Sequence, residues 1–161
     1  MLIKTFGGAI HGIHATLVTV EVNIDTGVAF FLVGLPDSAV KESHQRIEAS
    51  FRNNGYRIPG KKIVINMAPA DIRKEGSAYD LTIAMGILAA SEQMKSGELE
   101  HYVIMGELSL DGTILPIRGA LPIAIQAKAL GFKGLIIPEA NAHEAAVVSN
   151  LKVYGVSNLK D

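Results

Sequence analysis

The chain has 161 residues, 48% hydrophobic and 19% charged, with 15 basic against 16 acidic side chains and no cysteine. This is a globular composition, long enough for one buried core, and it excludes a disordered chain, a disulfide scaffold and a thiolate metal site. A formal net charge of -1 supplies no global attraction to nucleic acid or to an anionic membrane, although a local basic patch is compatible with it. The first eight residues, Met1 to Gly8, hold no signal-peptide-type apolar segment, and no apolar stretch approaches the roughly 18 residues of a bilayer span. A soluble, cytoplasmic protein with no membrane partner is expected.

From Ile13 to Asp25 one alternating set turns apolar from Val18 onward, and β-branched residues abound, which predicts a long half-buried strand. Asp25-Thr26-Gly27 reads as a turn into a second strand, Val28 to Val33, so that the two form a hairpin. Gly34-Leu35-Pro36-Asp37 breaks the pattern, and Asp37 or Ser38 caps a surface helix running to about Asn53. A strand follows at Lys62 to Met67.

Next comes the stretch around which the chain is organised, a polar loop from Ala68 to Asp80 leading into the apolar run Leu81 to Ala90. Ser77-Ala78-Tyr79-Asp80 has the Ser-x-x-Asp form of a capping box, with Ser77 and Asp80 each bonding the other's amide. The helix after it is apolar nearly all round, which predicts a buried central helix. Tyr102 to Leu108 and Thr113 to Ile117 read as a hairpin about Asp111-Gly112. Then follow a helix over Gly119 to Leu130, a strand at Gly134 to Pro138, a helix at Ala142 to Ser149, a strand at Lys152 to Val156, and a fresh helix start at Ser157 to Lys160. The order ββαβαββαβαβ predicts one α/β or α+β domain with a mixed sheet.

No Gly-x-x-x-x-Gly-Lys-Ser/Thr and no Gly-x-Gly-x-x-Gly occurs, so no nucleotide cofactor is expected in this segment. His11 and His14, with Glu21 and Asp25 following, have the residue types of a metal site, but a turn and a strand edge account for them, and no metal is expected. Lys74 and Ser77 are the types of a Ser-Lys nucleophile pair; a helix cap and a solvated loop charge are the plainer reading. Arg46, Arg52, Arg57, Lys61 and Lys62 gather around the end of the first helix and the next strand, where they could contact phosphates or form a solvated face.

Three separated segments carry a resemblance. Lys74 to Leu81, Gly106 to Gly112 with Leu115 to Ala120, and Gly131 to Lys133 with Ile136 to Pro138 look like the Lon-protease-type domain. With Val33 to Asp37 and Asn66 to Asp71 added, the chain resembles more closely the N-terminal domain of the magnesium-chelatase-like AAA+ ATPases of ComM and YifB type. That resemblance implies a Lon-like fold with a left-handed β-α-β unit, shared with some ribosomal proteins, over residues 1–161. It also implies a parent protein whose AAA+ core uses ATP and magnesium, assembles as a homo-hexamer and handles DNA by branch migration.

Lon-type proteases carry a serine in Gly-Pro-Ser-Ala-Gly and a lysine just after the Gly-Gly pair that follows Leu-Pro-Ile. Ungapped, the serine falls on Ala78, or on Ser77 after a one-residue slip, and the lysine falls on Leu121. Leucine cannot accept a proton, so the resemblance implies a domain without peptidase activity. The leading expectation is therefore a non-catalytic accessory domain of a DNA-processing ATPase. The alternatives are a Ser-Lys peptidase using Ser77 with Lys74, and a structural oligomerisation module.

Overall fold

The computed structural model describes residues 1–160. β1 (Leu2–His11) and β2 (His14–Asp25) pair in full antiparallel register through a two-residue turn at Gly12 and Ile13. β1 is not among the predicted strands. Its Gly7-Gly8 pair interrupts the strand pattern, yet those glycines serve packing: a Cβ on Gly7 would lie 2.9 Å from Met105 Sδ, and one on Gly8 3.1 Å from Ile123.

β3 (Ala29–Val33) corrects the expected hairpin. It pairs in parallel with β4 (Lys62–Ala68), which lies between it and β2. Asp25 and Ala29 both face Lys62 in register, so the short connection steps over the start of β4. The expected surface helix is two abutting helices, α1 (Ser38–Lys41) and α2 (Ser43–Asn53). The buried helix is α3 (Asp80–Ala90).

A 3₁₀ turn (Leu99–His101) then enters β5 (Tyr102–Ile104), which belongs to the main sheet and pairs in parallel with β1. The predicted hairpin shrinks to β6 (Glu107–Leu108) and β7 (Ile114–Leu115), a separate two-stranded ribbon. The chain closes with α4 (Ala120–Ala129), β8 (Gly134–Pro138), α5 (Glu139–Ala145) and β9 (Lys152–Val156). Ser157 to Lys160 do not start a helix: Asn158 bridges Thr113, and buried Leu159 donates its amide to the Gly112 carbonyl at 2.8 Å.

The main sheet runs β3-β4-β2-β1-β5-β8-β9, with β2 alone opposed in direction to the other six strands. Side chains alternate across a strand, so Thr5 and Gly8 mark opposite faces. α3 lies on the Thr5 face, where a Cβ on Gly86 would lie 2.6 Å from Val22 and 3.6 Å from Thr5. α4 lies on the Gly8 face through Ile123. Between the sheet and α3 sits part of the core, with Val20, Val22, Ile65 and Ile87 fully buried. Each such aliphatic side chain contributes about 1.5–3 kcal/mol of burial, which explains why α3 tolerates an apolar surface all round. Among the described residues no helix is long and apolar enough to cross a membrane.

Candidate functional site

A cleft of ≈ 860 Å³ opens at the C-terminal ends of β1, β4 and β5. Its walls are the last residues of β1, the loop over residues 71–79, and residues 116–118 before α4. Parallel strands leave their connecting loops at this edge, which is where open α/β sheets place ligands.

The loop from β4 to α3 is held from beneath. Lys74 is fully buried, and its ammonium donates to the Gly34 carbonyl at 2.7 Å and to the Pro69 carbonyl. Its main chain pairs with the Gly34-to-Asp37 loop, its amide donating to Leu35 at 3.0 Å and its carbonyl accepting from Asp37 at 2.9 Å. Gly34 is required here, because with φ +105 a Cβ would meet the Met67 carbonyl oxygen at 2.2 Å. Asp37 caps α1 by accepting from the Val40 amide at 2.8 Å, and its other oxygen accepts from the Gly76 amide at 3.0 Å. Burial pushes the Lys74 pKa down, opposed by nearby Asp71. Burial, with Asp37 and Glu75 close by, pushes the Tyr79 phenol up.

The capping box does not form. α3 has Tyr79 at its N-cap with no side-chain cap bond, and the Asp80 amide meets the Ser77 main-chain carbonyl instead. The Asp80 carboxylate, fully buried, turns to elements far off in sequence. It takes the Arg46 guanidinium through Nε at 2.6 Å and Nη2 at 2.9 Å, the Ser43 hydroxyl at 2.6 Å and the Leu108 amide at 3.0 Å. The Arg46 pKa is raised accordingly, first by its hydrogen bond to Asp80. Arg46 thus ties α2 to Asp80 of α3, whose carboxylate also holds the ribbon, and is not a free phosphate contact.

Ser77 and Lys74 do not meet: the Ser77 hydroxyl donates to the Glu107 carboxylate, while the Lys74 amine is taken by carbonyls. Glu107 lies within one of the quoted motifs, but its partnership with Ser77 carries no local sequence signal. Ala78 stands beside Ser77 in the cleft wall. Leu121 lies in the first turn of α4, where its amide donates to Glu144 at 3.0 Å.

Of the basic cluster, Arg57 and Lys61 share a smaller cleft of ≈ 320 Å³ at the opposite end of the sheet, and Lys62 begins β4 there. Arg52 is exposed on α2 and pairs with Glu48 at 3.2 Å. His11 and His14 face each other across the β1–β2 turn. Glu21 accepts from Asn66 at 2.9 Å and Asp25 from the Thr26 amide at 2.9 Å, and no group of three such side chains among the described residues could hold a metal ion.

The family described as subunit ChlI of Mg-chelatase matches residues 20–141. The chain belongs to that family. Competence protein ComM of Haemophilus influenzae is 42% identical over 151 residues, 93% of this chain and 30% of ComM. The protein YifB of Escherichia coli is 42% identical over 139 residues, 86% of this chain and 27% of YifB. The chain therefore spans less than a third of the length of these ChlI-family relatives. Weaker likeness extends to the DNA repair protein RadA of Halalkalibacterium halodurans, 29% over 66% of this chain and 23% of RadA. It extends also to Lon protease of Mycoplasma mobile, 28% over 74% of this chain and 15% of that protease.

Proposed function

We propose that the chain serves as a non-proteolytic, Lon-like accessory domain of a ComM-type AAA+ ATPase that remodels DNA as a homo-hexamer. The likeness to ComM over 93% of the chain carries this reading. One sequence match and one structural fact support its non-proteolytic part: Leu121 falls at the position matched to the Lon lysine, and the Lys74 amine is taken by two carbonyls beneath the loop. The domain itself does not suit a nucleotide, since Asp71, Glu75 and Glu107 line its large cleft and no phosphate-binding glycine loop is present. ATP and magnesium belong to the remainder of such a protein. DNA contact falls to the basic group at the far end of the sheet, Arg57, Lys61 and Lys62, with Arg52 nearby on α2.

The test uses the full protein that contains this chain, on a synthetic four-way DNA junction with ATP and separately on casein. ATP-dependent branch migration with intact casein is expected. Casein cleavage that disappears in Ser77→Ala would overturn the non-proteolytic assignment, and an ATP-independent or absent effect on the junction would overturn the DNA-remodelling one.

A further inference from the structure

β3 forms one end of the main sheet, so its main chain is paired on the β4 side alone. Along a strand in a parallel ladder, one residue turns both its N–H and its C=O to the neighbour and the next turns both away. The Ala29 amide donates to the Lys61 carbonyl at 3.4 Å, on the β4 side, which fixes the sense. Phe31 and Val33 therefore face β4 with their main-chain groups as Ala29 does, and Phe30 and Leu32 direct theirs out to the open edge. Sheet edges are ordinarily blunted by charge, proline or a bulge. β9, at the other end of the sheet, begins with an exposed lysine, Lys152. β3 carries no such device: no charged residue occurs from Thr26 to Pro36, and Ala29 to Val33 pair with β4 in unbroken register. The side chains of Phe31 and Val33 lie on the Gly8 face, where α4 packs on β1, β2 and β8, and they stay 51% and 46% exposed.

We propose that β3 pairs in antiparallel fashion with β3 of a second copy of this chain, about a two-fold axis through Phe31. The outward groups lie symmetrically on either side of Phe31, which makes the segment complementary to itself. Phe30 of one copy and Leu32 of the other exchange both of their hydrogen bonds, and the axis repeats the exchange. Phe31 then meets its own copy as a non-hydrogen-bonded pair, Cα atoms about 4.5 Å apart, and Ala29 meets Val33. Charge decides the occupant. A second copy sets no like charges opposite one another, whereas a basic or acidic segment would find no charge to neutralise. Such a contact uses the same patch on both copies and closes after two. It is therefore distinct from the head-to-tail contacts of a ring, and in a ring-forming protein it links one ring to another. The edge is separate from the basic residues assigned to DNA, so either assignment can fail without the other.

The test follows sedimentation velocity and amide exchange of the unaltered chain over a concentration series. A species of twice 17.1 kDa should grow with concentration, and exchange at Phe30 and Leu32 should slow in step. The chain has no cysteine, so Phe31→Cys supplies its only thiol. Oxidised glutathione should join two such chains through a disulfide, because about 4.5 Å between Cα atoms lies within the roughly 4.4–6.8 Å that a disulfide spans. Tyr154→Cys, on β9, should link at least about tenfold more slowly. Phe31→Lys sets like charges face to face at an exposed position and should weaken dimerisation about tenfold or more. A chain that stays monomeric throughout, equal linking of the two cysteine variants, or undiminished association of Phe31→Lys would each overturn the proposal. So would slow exchange at Phe30 and Leu32 that is independent of concentration in the full protein, the result expected if a segment of the same polypeptide covers the edge.

Discussion

Asp80 has no solvent to fall back on, so each of its four hydrogen bonds matters to the native state. Truncating one half of a buried charge pair strands the other half, which costs about 3 kcal/mol or more. Asp80→Ala should lower stability by that amount in urea unfolding, and Arg46→Ala should do the same. Lys74 answers to pH instead. Burial lowers its pKa below the ordinary 10.5, so between that lowered value and 10.5 the unfolded chain binds more protons than the folded one. Stability contributed through Lys74 therefore rises with pH across that window. Lys74→Met should remove the rise, read as the difference between the two proteins' urea midpoints as pH is raised toward 10.5. The sequence located both residues and misread both roles. A Ser-x-x-Asp pattern reports partners three residues apart, whereas the partners of Asp80 sit on α2 and the ribbon, brought close only by the fold.

At the scale of elements, α3 was legible because a continuous apolar run after a polar loop has few other homes, although its N-cap is Tyr79, two residues past the Ser77 of the capping-box pattern. Gly86 within it was not. A helical glycine costs about 1 kcal/mol relative to alanine by propensity alone. Here the added methyl would press to 2.6 Å from Val22, and overpacking of a close-packed core costs about 1–3 kcal/mol. Gly86→Ala should therefore lower the melting temperature despite its better propensity. The turn between β6 and β7 offers a second check. The Ser109 hydroxyl and the Thr113 amide hold the Asp111 carboxyl down at about 2. Its stabilising effect is complete above the ordinary carboxylate range and is lost as pH falls through about 2. Asp111→Asn should flatten the acid limb of the stability profile below about pH 4. The Asp-Gly signal found this turn, but nothing local distinguished β5 as a strand of the main sheet, since only its pairing with β1 and β8 makes it one. The β2–β3 hairpin failed for the same reason: its turn chemistry is compatible with a hairpin, and β4 arrives from thirty-odd residues later to separate the strands.

Across the whole molecule, each end mixes charges but leans to one sign, with Glu92 beside Arg57 and Lys61 and two arginines beside the three carboxylates of the large cleft. The large cleft at the C-terminal ends of β1, β4 and β5 carries the acidic excess, and the opposite end carries Arg57, Lys61 and Lys62. Each cation that neutralises a duplex phosphate adds about 0.9 to the slope of log affinity against log salt. The double variant Arg57→Glu, Lys61→Glu in the full protein should therefore reduce that slope by about 2, measured by fluorescence anisotropy over a salt series. An unchanged slope would overturn the proposed DNA contact by this cluster. The near-zero net charge could not reveal such sorting, because it sums over both ends.

The same sheet has a seam. Four strands drawn from the first 68 residues, β3, β4, β2 and β1, meet three strands drawn from residue 102 onward, β5, β8 and β9, at the single register pair Phe6↔Val103. α4 packs on β1, β2 and β8 and so bolts the two blocks together from one side. On the other face Thr82 of α3 bonds both Thr5 and Ile104, and we expect the later block to open as a body at a lower free energy than the earlier one. In native-state hydrogen exchange, the amides of β8 and β9 should share one opening free energy, distinctly below that of β2 and β4. Force applied across the sheet between β1 and β5 should find its point of yield at that line.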